Sequence, residues 1–85
     1  MELGLKGKVA MVAASSKGLG FGIAKALAEE GAKLSIGSRT KDDIESAAKL
    51  LRKVNNTEVL ASVMDSSNAK SILKWTDSTI REFGG

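Results

Sequence analysis

The sequence predicts an α/β fold, a small parallel sheet whose strands are joined by helices. Three observations carry this. Val9–Ala14 is an unbroken apolar run, the pattern of a strand inside a parallel sheet. Two further short apolar stretches, around Leu34–Ile36 and Val59–Val63, alternate with neighbouring residues as strands do. A segment with helical apolar spacing follows each of the three. The order is therefore β-α-β-α-β-α, which implies parallel strands and right-handed crossovers.

Each element has its own local reason. After Val9–Ala14 comes a polar, glycine-rich segment, Ser15–Gly22. Leu19, Ile23, Leu27 and Gly31 then fall at i, i+4 spacing, with Gly20, Ala24 and Ala28 in a small-residue row beside them. Such a row lets a helix lie close to a sheet, and Gly31 is expected to end it as a left-handed cap. In the second strand Leu34 and Ile36 alternate with Ser35 and Gly37. Thr40 and Asp43 read as a capping box for the next helix, whose apolar face is Ile44, Ala47, Ala48, Leu51 and Val54. Asn55-Asn56 closes it. The third strand has one partly polar face, as a strand near a sheet edge does. Ser66 or Ser67 can cap the last helix, with Ile72, Leu73, Thr76, Ile80 and Phe83 as its apolar face. Trp75 lies beside that row, where it could cover the open side of the sheet. Gly84-Gly85 is expected to stop the helix.

Composition narrows the chemistry. The 85 residues are 42% hydrophobic and 27% charged, the balance of an ordinary globular chain with one small domain. Cysteine, histidine and tyrosine are absent, which removes thiol, imidazole and phenol chemistry. A Ser-His-Asp hydrolase is excluded, and no metal site is expected. The net charge of +3 comes from the first half: seven Lys/Arg against four Asp/Glu up to residue 42, then six of each. That charge is not clustered enough for nucleic-acid binding. No apolar run reaches 18 residues and the N-terminus carries no signal-peptide segment. A cytoplasmic protein without membrane contact is expected.

The informative stretch is Ala13-Ala14-Ser15-Ser16-Lys17-Gly18-Leu19-Gly20-Phe21-Gly22. It follows a strand and opens a helix. Glycines there let a backbone approach a pyrophosphate, and the helix N-terminus offers free N–H groups and partial positive charge. The G-x-G-x-x-G spacing fails, since Ile23 holds the sixth position from Gly18, and no Walker loop is present. A different spacing fits. The segment resembles the T-G-x-x-x-G-x-G motif of the short-chain dehydrogenases/reductases, with Ser15-Ser16-Lys17-Gly18-Leu19-Gly20 as its interior. Gly31-Ala32-Lys33 and Met64-Asp65-Ser66 also match counterparts in that family. Ala13 and Ala14 stand where the motif has Thr and Gly, and Ala14 lacks glycine's easy access to positive φ.

The resemblance implies a nicotinamide dinucleotide held by Ala14, Ser15, Ser16, Lys17, Gly18, Leu19 and Gly20. Ser38, at the end of the second strand, occupies the position where an acidic residue would hold a ribose 2′-OH. With Arg39 after it and Lys17 in the loop, the pattern is the family's NADP(H) form, NAD(H) being the alternative; read alone, both cations are solvated surface charges. Asp65 read alone starts a turn or caps a helix. The resemblance adds a contact from its carboxylate to the adenine amino group, with the Ser66 backbone alongside.

The family's Ser and Tyr-x-x-x-Lys centre has no counterpart here. Residues 1–85 are thus expected to be the N-terminal half of a dinucleotide-binding Rossmann domain, with strand order 3-2-1. The parent would interconvert an alcohol and a carbonyl and would be a homo-oligomer. The alternative is a free-standing half-Rossmann module that binds a nucleotide or partner without catalysis. In either case the first strand should leave one edge unpaired, so the 85 residues alone are expected to associate.

Overall fold

A computed structural model describes residues 6–13 and 18–84. Three parallel strands, β1 (Val9–Ala13), β2 (Lys33–Ser38) and β3 (Val59–Val63), alternate with three helices, α1 (Gly18–Glu29), α2 (Lys41–Arg52) and α3 (Ala69–Phe83). The sheet order is β1-β2-β3, the expected 3-2-1 order counted from the other edge. The register sets Ala13 beside Gly37 and Ser38 beside Val63, so the three strands end level with one another.

The two faces of the sheet are covered differently. Side chains alternate along a strand. Val12, Leu34, Ile36 and Val59 point to one face, where they meet Ala24 and Ala28 of α1 and Ile44, Ala47, Ala48 and Leu51 of α2. The α1 row that faces the sheet is the small one. Leu19 of the neighbouring row is 81% exposed. Two features fix the end of α1. Gly31 takes φ +88°, and the Asn55 amide donates to the Ala28 and Glu29 carbonyls at 3.4 and 3.1 Å. The face of α2 is the one its spacing predicts. Its cap is not. Thr40 has the extended backbone of an N-cap, but its side chain makes no capping bond. The first turn instead has Asp42 and Asp43 beside the positive helix end.

On the other face lies α3, and here two expectations are corrected. Its N-cap is Asn68, whose side chain accepts from the N–H groups of Lys70 and Ser71, and not Ser66 or Ser67. Its sheet-facing side is also different. Trp75 and Thr79 are buried, whereas Leu73 is 64% and Ile80 51% exposed. The physical reason is the surface it meets, since β2 presents Ser35 and Gly37 on that side. A hydroxyl and a bare backbone are better matched by an indole and a threonine than by isoleucines. α3 ends at Gly84, φ +76°, whose N–H donates to Ile80.

β1 departs from the picture of a strand buried on both sides. Val12 is buried, but Met11 on the α3 side is 40% exposed. α3 lies over β2 and β3 and leaves that part of β1 open.

The two sheet edges also differ. Lys33 N–H bonds to the Lys8 carbonyl, so residues 9, 11 and 13 turn their peptide groups away from β2. Leu34 N–H bonds to Glu58 O and Met64 N–H to Ser38 O, so 59, 61, 63 and 65 face outward on β3. On β3 both ends of that row are satisfied. The Arg52 guanidinium donates to Val59 O at 2.8 Å, and Asp65 N–H donates to Ser71 Oγ at 2.9 Å. Among the described residues no strand pairs with the outer side of β1.

Candidate nucleotide-binding site

The level strand ends bring the site's described residues to one rim of the sheet. β1 leads to the start of α1, β2 ends in Ser38 and Arg39, and β3 ends in front of Asp65 and Ser66. Of the residues expected to contact a cofactor, Ala14, Ser15, Ser16 and Lys17 lie outside the described residues.

Gly18 is the first residue of α1. It has φ +69°, and among the described residues nothing stands within 4 Å of where a side chain would begin. The left-handed conformation favours glycine, and the open space above it leaves room for a ligand to approach the backbone. Leu19 and Gly20 continue the first turn, where N–H groups have no partner inside the helix. Gly18, Leu19 and Gly20 thus form the start of a helix that follows a strand, the kind of place where free N–H groups are able to meet an anion.

Ser38 is tied down on both sides of its peptide. Its carbonyl accepts from Met64 N–H at 2.8 Å, and its Oγ accepts from Thr40 N–H at 3.2 Å. This small turn carries Arg39 outward, with its side chain in solvent. The guanidinium is near enough to Asp65 to help lower that carboxyl's pKa.

Asp65 begins a loop that holds itself. Its Oδ1 accepts from the N–H and the hydroxyl of Ser67, at 2.9 and 2.7 Å. These bonds, more than the Arg39 charge, pull its pKa below the ordinary 3.8. Both fall on one oxygen, so Oδ2 keeps its capacity to accept from an outside donor. The turn and the ligand reading are therefore compatible, because different oxygens serve them. Ser66 is exposed at the tip of this turn.

Ser38 and Arg39 form one wall of this rim and Asp65 and Ser66 the next. Of the residues behind the walls, Trp75 was expected to cover the open side of the sheet, as it does, and Ser71 and Thr79 were not singled out. Ser71 holds the Asp65 peptide. Trp75 Nε1 donates to Ser35 Oγ at 2.9 Å, and Ser35 Oγ and Thr79 Oγ1 are 2.6 Å apart. Thr79 Oγ1 bonds in turn to the Trp75 carbonyl at 2.8 Å. The signal was in the sequence, since Ser71, Trp75 and Thr79 recur at i, i+4, i+8, one helix stripe. Among the described residues no helix is long and apolar enough to cross a membrane.

Comparison with known proteins supplies the wider frame. A family model for short chain dehydrogenase matches residues 8–85. Tropinone reductase-like 3 of Erythroxylum coca is 40% identical over 79 residues, covering 93% of this chain and 30% of its own length. The crystal structure of L-sorbose reductase from Gluconobacter frateurii, complexed with NADPH and L-sorbose, superposes with a TM-score of 0.95 at 33% identity. It covers all of this chain and 32% of that one. An NAD+-bound xylitol dehydrogenase superposes at 0.88 with 28% identity, over 94% of this chain and 30% of that one. The chain thus spans about a third of the length of these proteins.

Proposed function

The chain belongs to the short-chain dehydrogenase family, and from that premise we propose that residues 1–85 form the NADP(H)-binding N-terminal half of a Rossmann domain. The full-length oxidoreductase would interconvert an alcohol and a carbonyl. When bound, the nicotinamide dinucleotide supplies the hydride donor or acceptor. This chain's residues bind and orient its adenosine half. The start of α1, from Gly18 to Gly20 and with Ala14, Ser15, Ser16 and Lys17 before it, would face the pyrophosphate. Asp65 Oδ2 would accept from the adenine amino group, with the Ser66 backbone beside it. Arg39, with Lys17, would meet a 2′-phosphate. With no tyrosine, histidine or cysteine among the 85 residues, none of them is assigned to proton transfer.

Relatives of this fold include one bound to NADPH and one bound to NAD+, so the preference has to come from this chain's own residues. The observation that carries it is the end of β2. Ser38 cannot repel a phosphate as a carboxylate would, its Oγ is engaged by Thr40 N–H, and the exposed Arg39 follows. A charged hydrogen bond to phosphate is worth roughly 1.5–3 kcal/mol. NADPH should therefore bind about tenfold to a hundredfold more tightly than NADH in calorimetric titration, and Arg39→Asp should reverse the order. Identical curves for the two cofactors in both proteins would overturn the assignment.

A further inference from the structure

α3 contributes no residue to the proposed cofactor contacts, yet one stripe of it reaches both walls of the site. Ser71, one turn into the helix, accepts the N–H of Asp65. Trp75, one turn further, donates its indole N–H to Ser35. The indole also lies against Gly37, where an added side-chain carbon would stand 3.2 Å from Trp75 Cε2 and from Met64. Thr79, another turn on, completes a closed relay with the Ser35 hydroxyl and the Trp75 carbonyl. Ser35 is fully buried and Trp75 and Thr79 nearly so. Such a chain of directed bonds in a dry setting tolerates one arrangement, because any shift leaves a buried polar group unpaired.

The two contacts serve different walls. Ser35 and Gly37 are the last positions of β2 that face α3 before Ser38 and Arg39. Asp65 opens the adenine-side loop. We propose that Ser71, Trp75 and Thr79 are positioning residues that set the two walls separately: the Trp75–Ser35–Thr79 relay aims the β2 end at the ribose 2′ position, and Ser71 aims the Asp65 loop at the base. The inference rests on the adenosine site argued above, and it predicts a division of effects that simple stabilisation does not produce.

The test uses two ligands that differ only in the 2′-phosphate, adenosine 2′,5′-bisphosphate and 5′-AMP, titrated calorimetrically into the chain. Thr79→Val keeps the volume and removes the relay hydroxyl. It should weaken the bisphosphate about threefold and leave 5′-AMP unchanged, the size expected for a misplaced hydrogen bond. Thr79→Ser keeps the hydroxyl and should restore the preference. Ser71→Ala should weaken both ligands about threefold with their ratio intact. The sole tryptophan reports the relay directly, and its emission should shift to the red in Thr79→Val and not in Thr79→Ser. If the unsubstituted chain prefers the bisphosphate but Thr79→Val only melts earlier, with the ratio unmoved, the positioning role is overturned and the cofactor reading stands. If the unsubstituted chain binds neither ligand, the cofactor reading fails and this inference falls with it.

Discussion

The two faces of the sheet are built on different principles. Toward α1 and α2, contact is apolar and area-driven: Leu34, Ile36, Ile44 and Leu51 are fully or almost fully buried against small alanines. Toward α3, contact is sparse and directional, made by Ser35, Gly37, Trp75, Thr79 and Met64. An apolar face tolerates sliding as long as area is kept, because the hydrophobic effect has no direction. A hydrogen-bonded face does not slide. The first face holds the sheet together, and the second decides where its C-terminal rim sits. The lesson is that stability and placement can be assigned to opposite sides of one strand.

That contrast can be broken most forcefully on the apolar side. Leu34→Ala removes a fully buried side chain between α1, α2 and the sheet. It should cost about 2–5 kcal/mol in urea denaturation, a large part of a small domain's stability. A loss below 1 kcal/mol would mean that the α1–α2 face is not what holds the sheet.

On the other side, adding a group should hurt more than the small change suggests. Gly37→Ala puts a methyl carbon 3.2 Å from Met64 Cβ, Met64 Cε and Trp75 Cε2. The methionine end can yield, but its Cβ and the indole cannot without disturbing the Ser35 bond. A loss of about 1–3 kcal/mol is expected, with a shift in tryptophan emission. A neutral substitution with unchanged emission would show that α3 is free to back away, against the directional picture.

The smallest effect sharpens the comparison at the rim. Asp65 has its pKa lowered in the folded state, by the Ser67 hydroxyl and backbone first and Arg39 last. A depressed carboxyl stabilises the fold fully above its unfolded value, near 3.8, and loses that contribution as pH falls through the lower folded value. Asp65→Asn should therefore lower stability slightly at neutral pH, where that contribution is fully present, and flatten the fall of the stability profile below pH 4. NMR titration of the Asp65 carboxyl should give a midpoint below 3.8 that rises in Ser67→Ala. An unchanged midpoint would mean that the loop is not held through this carboxylate.

Much of this was legible in the sequence. α2 reads directly because Ile44, Ala47, Ala48 and Leu51 are apolar, helically spaced and buried. The element order and the strand–glycine–helix start of the site follow from the apolar run and from Gly18 and Gly20. α3 reads wrongly because the rule that apolar means inward fails on a face that offers a serine and a glycine. Ile72, Leu73 and Ile80 are partly or largely exposed while Ser71, Trp75 and Thr79 make the contacts. The caps shift for a simpler reason. Ser66, Ser67 and Asn68 are all good cap residues, and the choice of Asn68 follows from Asp65 having already engaged Ser67. The walls of the proposed site were read from Ser38, Arg39 and Asp65, which the structure brings to one rim of the sheet. Of their supports only Trp75 was read, as a cover for the sheet; Ser71 and Thr79 were not, because a hydroxyl's partner in another element is a matter of tertiary geometry.

The capped row on β3 has a consequence for how this sheet can grow. A strand joins a sheet by matching its own amides and carbonyls to a vacant row. On β3 that row begins at a carbonyl occupied by Arg52 and ends at an amide occupied by Ser71. β1 carries neither obstruction among the described residues, so addition is one-sided. A longer polypeptide would lay its next strand beside Met11. Two copies of these 85 residues meeting at β1 would leave only obstructed rims outside, which favours a closed pair over an extending filament.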